Sequence, residues 1–299
     1  MSDPKANGHN GDGGGGGPVG RARAAAPRRR TPWPLAVVAA LFVVVPFLTW
    51  YTTWFGRGLS DEKIDEYLRE GKPRHAQHAL SQVAERVAGG DAGAHRWFPR
   101  VLALAESPVP DVRMTAAWVM GEEHRSEEFR AALVRLLSDP EPIVRRNAAL
   151  ALVRFGDARC RPELVSMLRP YAVRAPADGE ALTALSPGTP VKRDALLVRY
   201  TQGGAGGGEL RSPLPGRVEE ARIKAGDRFR AGDELFVLAP DAEQAQDALV
   251  GLLYFGTAED LPEVERYARG VEGMPEGVKR QAALTADAVK RRSAESPRP

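Results

Sequence analysis

Two segments of this 299-residue chain repeat each other at a fixed interval, and that interval restricts the possible folds more than any other feature. "PDVRMTAAWVMG" from Pro110 and "PIVRRNAALALVRFG" from Pro142 set Val112, Arg113, Ala116 and Ala117 opposite Val144, Arg145, Ala148 and Ala149, always 32 residues apart. Each places small and apolar residues at helical spacing behind a proline-marked start, and each is followed by a second amphipathic segment, "EEFRAALVRLL" or "RPELVSMLRPY". The pattern predicts one helical hairpin per repeat. A single hairpin cannot bury its own apolar face, so the repeats must stack. The interval then changes. "ALVGLLYFGTAEDLPEVERY" matches "ALALVRFGDARCRPELVSML" at an offset of 100, with Phe155 and Gly156 opposite Phe255 and Gly256, and Pro162 and Glu163 opposite Pro262 and Glu263. The excess over one repeat is 68 residues, from Tyr171 to about Asp241.

The run "VRRNAALALVRFGD" followed by "PELVSML" resembles the HEAT repeat, in particular its short bacterial form. So do the aspartates set before a Val-Arg pair: Asp111 with Val112 and Arg113, and Asp139 with Val144 and Arg145. "RHAQHALSQVAERV" resembles a degenerate earlier helix and "GVKRQAALTADAVKRR" a final one. The resemblance implies HEAT-like repeats over residues 60–170 and 242–292, with the extended binding surface that solenoids present.

The inserted residues 171–241 have a different character. "SPLPGRVEEARIKAGDRFRAGDELFVL", Ser212 to Leu238, alternates like β-structure between Gly-Asp turns. It has a twin upstream in "RAPADGEALTALSPGTPVKRDALLVRY": Pro176 and Gly179 match Pro213 and Gly216, Gly188 matches Gly226, and Asp194, Leu196 and Val198 match Asp233, Leu235 and Val237. Two copies of a β-unit predict a pseudo-symmetric sandwich. The Ser-Pro-x-x-Gly-x-Val pattern with its paired Gly-Asp steps resembles the lipoyl and biotinyl carrier domains and the barrel-sandwich hybrid of membrane fusion proteins. In the carriers, the modified lysine lies on the hairpin joining the two halves. Here that hairpin is "TQGGAGGGE", Thr201 to Glu209, which has no lysine; Lys192 and Lys224 fall elsewhere, so no carried cofactor is expected. In membrane fusion proteins the same connection carries a long helical hairpin, and here it holds little but glycine.

"TPWPLAVVAALFVVVPFLTWYTTWFG" contains no charge and is long enough to span a bilayer. Residues 32–56 are predicted to form a transmembrane anchor, with Trp33 at one interface, Trp50, Tyr51, Trp54 and Phe55 at the other, and a kink at Pro46. Bulky aromatics stand where a signal peptide would have a small-residue cleavage site. Five arginines lie just before the span, so the N-terminus is predicted to be cytoplasmic and the folded part extracytoplasmic. The Ala, Arg, Gly and Pro bias points to a bacterial inner membrane and a periplasmic domain. Residues 1–31 and 293–299 are predicted to be disordered tails. Up to Gly56 the chain carries six basic residues and two acids; the remainder carries 36 basic and 37 acidic residues, which excludes the concentrated cationic surface of a nucleic-acid binder.

No reaction chemistry stands out. His75 and His78 have a spacing that can put two metal ligands on one helix face, but no third ligand accompanies them and Arg74 is adjacent. Glu122, Glu123 and His124 form a polar inter-helix turn. Cys160 reads as a loop cysteine whose pKa Arg159 and Arg161 can lower. Trp118 aligns with Leu150 and is expected in the core, whereas Trp97 and Phe98 are not readily placed. "GGAGGG" lacks the Lys-Ser/Thr of a phosphate loop. No catalytic, cofactor-binding or metal-binding residue is assigned. The expected fold is mainly α: a transmembrane helix, then a short HEAT-like solenoid interrupted by a small all-β barrel-sandwich hybrid. The expected function is a non-enzymatic, membrane-anchored scaffold or assembly factor for an envelope protein complex. An adaptor of an export system and a HEAT-like lyase are the alternatives.

Overall fold

The protein is described from a computed structural model, which covers Phe42, Val44, Val45 and residues 58–202 and 206–295. The chain divides into two units, Met1–Arg57 and Gly58–Pro299. The predicted anchor and N-terminal tail lie outside the described residues except for Phe42, Val44 and Val45, which are helical. Among the described residues no helix is long and apolar enough to cross a membrane.

The second unit is mainly helical with an all-β part. Its helices are α1 (Asp61–Arg69), α2 (Pro73–Ala88), α3 (Phe98–Leu104), α4 (Pro110–Glu122), α5 (Glu127–Leu136), α6 (Pro142–Arg154), α7 (Arg161–Met167), α8 (Ala242–Phe255), α9 (Leu261–Arg269) and α10 (Glu276–Glu295). Proline opens α2, α3, α4, α6, α7 and α9, where its missing N–H costs nothing. Ser60, Ser126 and Asp241 cap α1, α5 and α8 by accepting from the backbone N–H three residues on. α10 runs through Glu295, so Ser293 to Glu295 are helical rather than part of a disordered tail.

Packing follows the repeat. α2 lies against α4, α4 against α6, and α8 against α7 and α10. The core between them is formed by residues such as Leu80, Met120, Phe129, Leu133, Leu152, Leu164 and Leu252. Helices α4 and α6 come so close that a Cβ on Gly121 would stand 2.8 Å from that of Ala151. Trp97 is fully buried and its Nε1–H donates to Asp65 at 2.7 Å. Trp118, expected in the core, is 40% exposed, and Leu150 is only half-buried. The buried face of α4 is set by Val112, Thr115, Ala116, Val119 and Met120, and Trp118 stands about 200° around the helix from Ala116.

Charged staples tie each hairpin to the next. Arg113 bonds Asp139 through Nε and Nη2 at 2.6 and 2.8 Å, and Arg130 Nε bonds Asp157 at 2.8 Å. Arg161 reaches Asp260 at 2.7 and 3.0 Å and Glu259 at 2.7 Å, across the whole insertion. Tyr267 Oη and Arg266 both donate to the carbonyl of Leu168. The helices on the two sides of the insertion are therefore packed and bonded as neighbours.

Between α7 and α8 run eight strands: β1 (Tyr171–Arg174), β2 (Gly179–Ala184), β3 (Pro190–Val191), β4 (Leu196–Thr201), β5 (Gly207–Arg211), β6 (Gly216–Ala221), β7 (Arg228–Phe229) and β8 (Glu234–Ala239). They form two antiparallel four-stranded sheets, ordered β1-β8-β6-β3 and β5-β4-β2-β7. Replacing each strand by the one four places along the cycle converts the first order into the second. The hydrogen bonds repeat in the same way. Gly188 N donates to Val218 O while Gly226 N donates to Ala181 O; Asp194 N donates to Ser212 O while Gly232 N donates to Ala175 O.

This corrects one part of the sequence alignment. Asp194 is the counterpart of Gly232, not Asp233, and both have positive φ, 63° and 88°. From there the two copies run 38 residues apart, so β4 and β8 share one burial pattern, with Leu197 and Val198 answering Leu235 and Phe236. A slip of one residue in such a strand exchanges its faces.

The sandwich has its own core, including Val198, Tyr200, Val218 and Phe236. It meets the helices through the β5–β6 connection: Leu214 is buried outside both cores, and Gln244 donates to the carbonyl of Pro215 at 2.6 Å. Arg193 pairs with Asp111, and Arg217 donates to Glu272 O at 3.2 Å. At this seam Arg146 of α6 is buried, no group among the described residues accepts from its Nε, and burial pushes its pKa down to about 10.

Candidate functional site

The pseudo-symmetry gives the sandwich two equivalent ends, and they are used differently. At one end Pro215 and Arg217 bond Gln244 and Glu272 of the helical layer, and Gly216 and Ala239 line a cleft of about 500 Å³ there together with Tyr267 and Gly273. The counterparts of Pro215, Gly216, Arg217 and Ala239 at the other end are Asp178, Gly179, Glu180 and Thr201. These line an open groove of about 800 Å³ together with Arg228, Phe229, Arg230 and Asp233. β2 begins at this free end, where Glu180 faces Thr201, and the chain after β2 reaches Val218 beside the helical seam. β4 ends and β5 begins at the same free end, where Gln202 N is bonded to Gly206 O.

Glycines shape the groove floor. A Cβ on Gly179 would stand 2.7 Å from the ring of Tyr200, 2.9 Å from Phe229 and 2.9 Å from the Thr201 carbonyl. A Cβ on Gly208 would overlap the same Tyr200 ring. Tyr200 meets Phe229 edge to face with centroids 5.3 Å apart, an arrangement aromatic pairs prefer. The rim is charged: Arg228 pairs with Glu180 at 3.1 Å, and Asp178 and Asp233 accept from the backbone N–H groups of Ala231 and Arg230. Polar and aromatic surface thus alternate around a cleft that, among the described residues, only the sandwich lines. None of these residues stands out singly in the sequence. The signal was the duplication itself, in which one copy is committed to the helices and its equivalent is not.

The structure places the residues singled out from the sequence apart from this groove. His75 stacks on Tyr67 at 4.2 Å and is hydrogen-bonded to Glu70, while His78 is exposed 6.2 Å from the same ring. Among the described residues no group of three His, Cys, Asp or Glu is arranged to hold a metal. Glu122 ends α4 and pairs with Arg154, and Glu123 and His124 lie in the turn that follows.

Cys160 departs most from its reading. It closes a short 3-10 turn, Ala158–Cys160, and is completely buried, and that burial pushes its thiol up to about 12. The flanking arginines do not lower it because both are engaged elsewhere, Arg159 by Asp157 and Arg161 by Asp260 and Glu259. Asp157 itself is held well below the carboxylate range, first by the Arg159 guanidinium and then, against burial, by Arg130.

The HEAT-repeat family profile matches residues 98–183, so the helices α3 to α7 are similar to HEAT repeats. The match extends past the last helix it covers, α7, into β1 and β2. No curated protein matches the chain. Among solved structures, a single-chain, multi-domain long-chain acyl-CoA carboxylase is similar at 21% identity and a TM-score of 0.23, over 33% of this chain and 10% of that one. The chain thus spans about a tenth of that protein's length.

Proposed function

We propose that this protein is a non-enzymatic, membrane-anchored scaffold or assembly factor of the bacterial inner membrane, with its folded unit on the periplasmic side. The sandwich is a lipoyl-like barrel-sandwich hybrid that has become a binding module. One observation carries the reading: of two pseudo-equivalent ends, one is bonded to the chain's own helical layer and the other is an open groove with Gly179 in its floor and a charged rim, lined among the described residues by the sandwich alone. A site already evolved to receive polypeptide at one end offers the same backbone framework at the other. The partner is another membrane or envelope protein, and neither a carried cofactor nor nucleic acid is part of the reading. The lysine-free segment from Thr201 to Glu209 supports this over carrier chemistry, and the short β4–β5 turn supports it over channel docking by an export adaptor.

The test is photo-crosslinking in intact membranes with a benzophenone amino acid at Arg228 or Glu180, and at Glu128 on α5 as a control. The reading expects one recurring membrane-protein adduct from the groove positions, absent from the control and lost when Arg228 and Arg230 are both changed to Glu. Equal adducts from Glu128, or none at the groove, would move the binding function elsewhere.

A further inference from the structure

The face of the helical layer that carries Trp118 has a regular composition. Trp118 on α4, Leu150 on α6 and Val250 on α8 hold the same place in their repeats, and Leu284 on α10 holds it by the same burial register. One turn beyond Val250, Tyr254 adds to the set. Trp118 is 40% exposed, Val250 39%, Leu284 60% and Tyr254 61%. α6 and α8 meet where Val153 lies against Gly251, next to Leu150 and Val250.

A second feature of the row is that the folded unit begins on it. The place of Trp118 is taken on α2 by Gln82, and the place of Tyr254 by Arg86. Those two side chains bind the start of the folded unit: Leu59 N donates to Gln82 Oε1 at 3.1 Å, and Arg86 donates to Leu59 O at 2.7 Å. The folded unit therefore begins at this same row. Residues 32–56 end two positions before Gly58, and two residues span less than about 8 Å even when extended.

We infer that this row rests on the lipid headgroup region, with Trp118, Val250, Tyr254 and Leu284 inserted at the interface. The inference rests on the anchor reading. Trp and Tyr are the side chains that settle at that level, with an apolar body and a polar tip. Burying the row in lipid removes exposed apolar surface at positions where an ordinary surface helix carries polar residues, as α2 does at Gln82.

The experiment uses the full chain in vesicles of phosphatidylethanolamine and phosphatidylglycerol. Single cysteines replace Trp118, Tyr254 or Leu284, and Glu128→Cys serves as the reference on the same vesicles. Cys160, being buried, stays silent. Each is reacted with a membrane-impermeant maleimide in vesicles and in detergent. Row positions should react about tenfold or more slowly than the reference in vesicles, the protection that burial of one apolar side chain implies. In detergent the difference should disappear. Equal rates in vesicles would overturn the inference, and so would protection persisting in dilute detergent, which would mark a protein occupant. Retention of the chain in vesicles after alkaline wash tests the anchor separately, so a failed anchor and a free row give different results.

Discussion

Replacing residues 172–237 by a short Gly-Ser turn should leave the helical layer folded, and the structure allows the change in stability to be worked out. Tyr171 and Leu238 face each other in the β1–β8 ladder, so their Cα atoms stand about 5 Å apart and a turn of about four residues can join them. Shortening the connection some sixteenfold lowers the closure entropy by about 2 kcal/mol. Against this, the layer loses the burial of Leu214, about 2 kcal/mol, and the hydrogen bonds from Gln244 to Pro215 and from Arg217 to Glu272, about 1 kcal/mol each. The Arg193–Asp111 pair is partly exposed and adds at most about 1 kcal/mol, while Arg146 regains water. The net change is a loss of about 2 or 3 kcal/mol, within what a domain of this size tolerates. The α7–α8 packing and the Arg161–Asp260 staple remain. Urea unfolding followed by circular dichroism should show a helical protein with one cooperative transition, slightly shifted. Loss of helical signal, or a transition broadened into separate steps, would show that the sandwich is part of the helical core and refute the argument.

Three further outcomes can be checked by denaturant titration. Asp157→Asn keeps the turn cap but removes the charge that Arg159 and Arg130 bind, and should cost about 1.5–3 kcal/mol at pH 7. The folded pKa of Asp157 lies below its unfolded value near 4, so this stabilisation is complete above about pH 4 and fades as pH falls further; the gap between wild type and variant should narrow at pH 3, and an unchanged gap would exclude the charge as its source. Arg161→Ala leaves the buried Asp260 with only the N–H and hydroxyl of Thr257 and should cost about 3 kcal/mol, much of it recovered by adding Asp260→Asn; no recovery would show that Arg161 acts through packing. Gly232→Ala should cost about 1–2 kcal/mol although nothing lies within 4 Å of the new Cβ, because φ is 88° there, while Asp194→Gly at the equivalent position should be nearly neutral.

The helical repeats were legible because the physics that forms them is local and periodic. Pro110, Pro142 and Pro262 mark helix starts, and the alanines at 116, 117, 148, 149 and 248 mark where helices approach closely. The β character of the inserted stretch was legible from its alternation and its Gly-Asp turns. What could not be read was anything set by orientation around a helix or by long-range pairing. Trp118 aligned with Leu150 correctly, but alignment does not say which side of the layer a shared position faces. Cys160 stood between two arginines in sequence, and only the fold shows both guanidinium groups turned to carboxylates 2.5–3.0 Å away. The slip from Asp233 to Gly232 was invisible because both belong to one turn, and only the ladder hydrogen bonds fix which residue carries the positive φ. The open groove is a relation between the two ends of a duplicated fold, and no single residue announces it.

Arg146 gives the seam between sandwich and helices a particular mechanical character. Its repeat counterpart on α4 is Met114, so the array exchanged an apolar residue for a cation at the spot the sandwich covers. A guanidinium enclosed there without a partner for Nε is held at a cost that water would relieve at once. Parting the seam would let water reach that guanidinium, a gain that opening either apolar core does not bring.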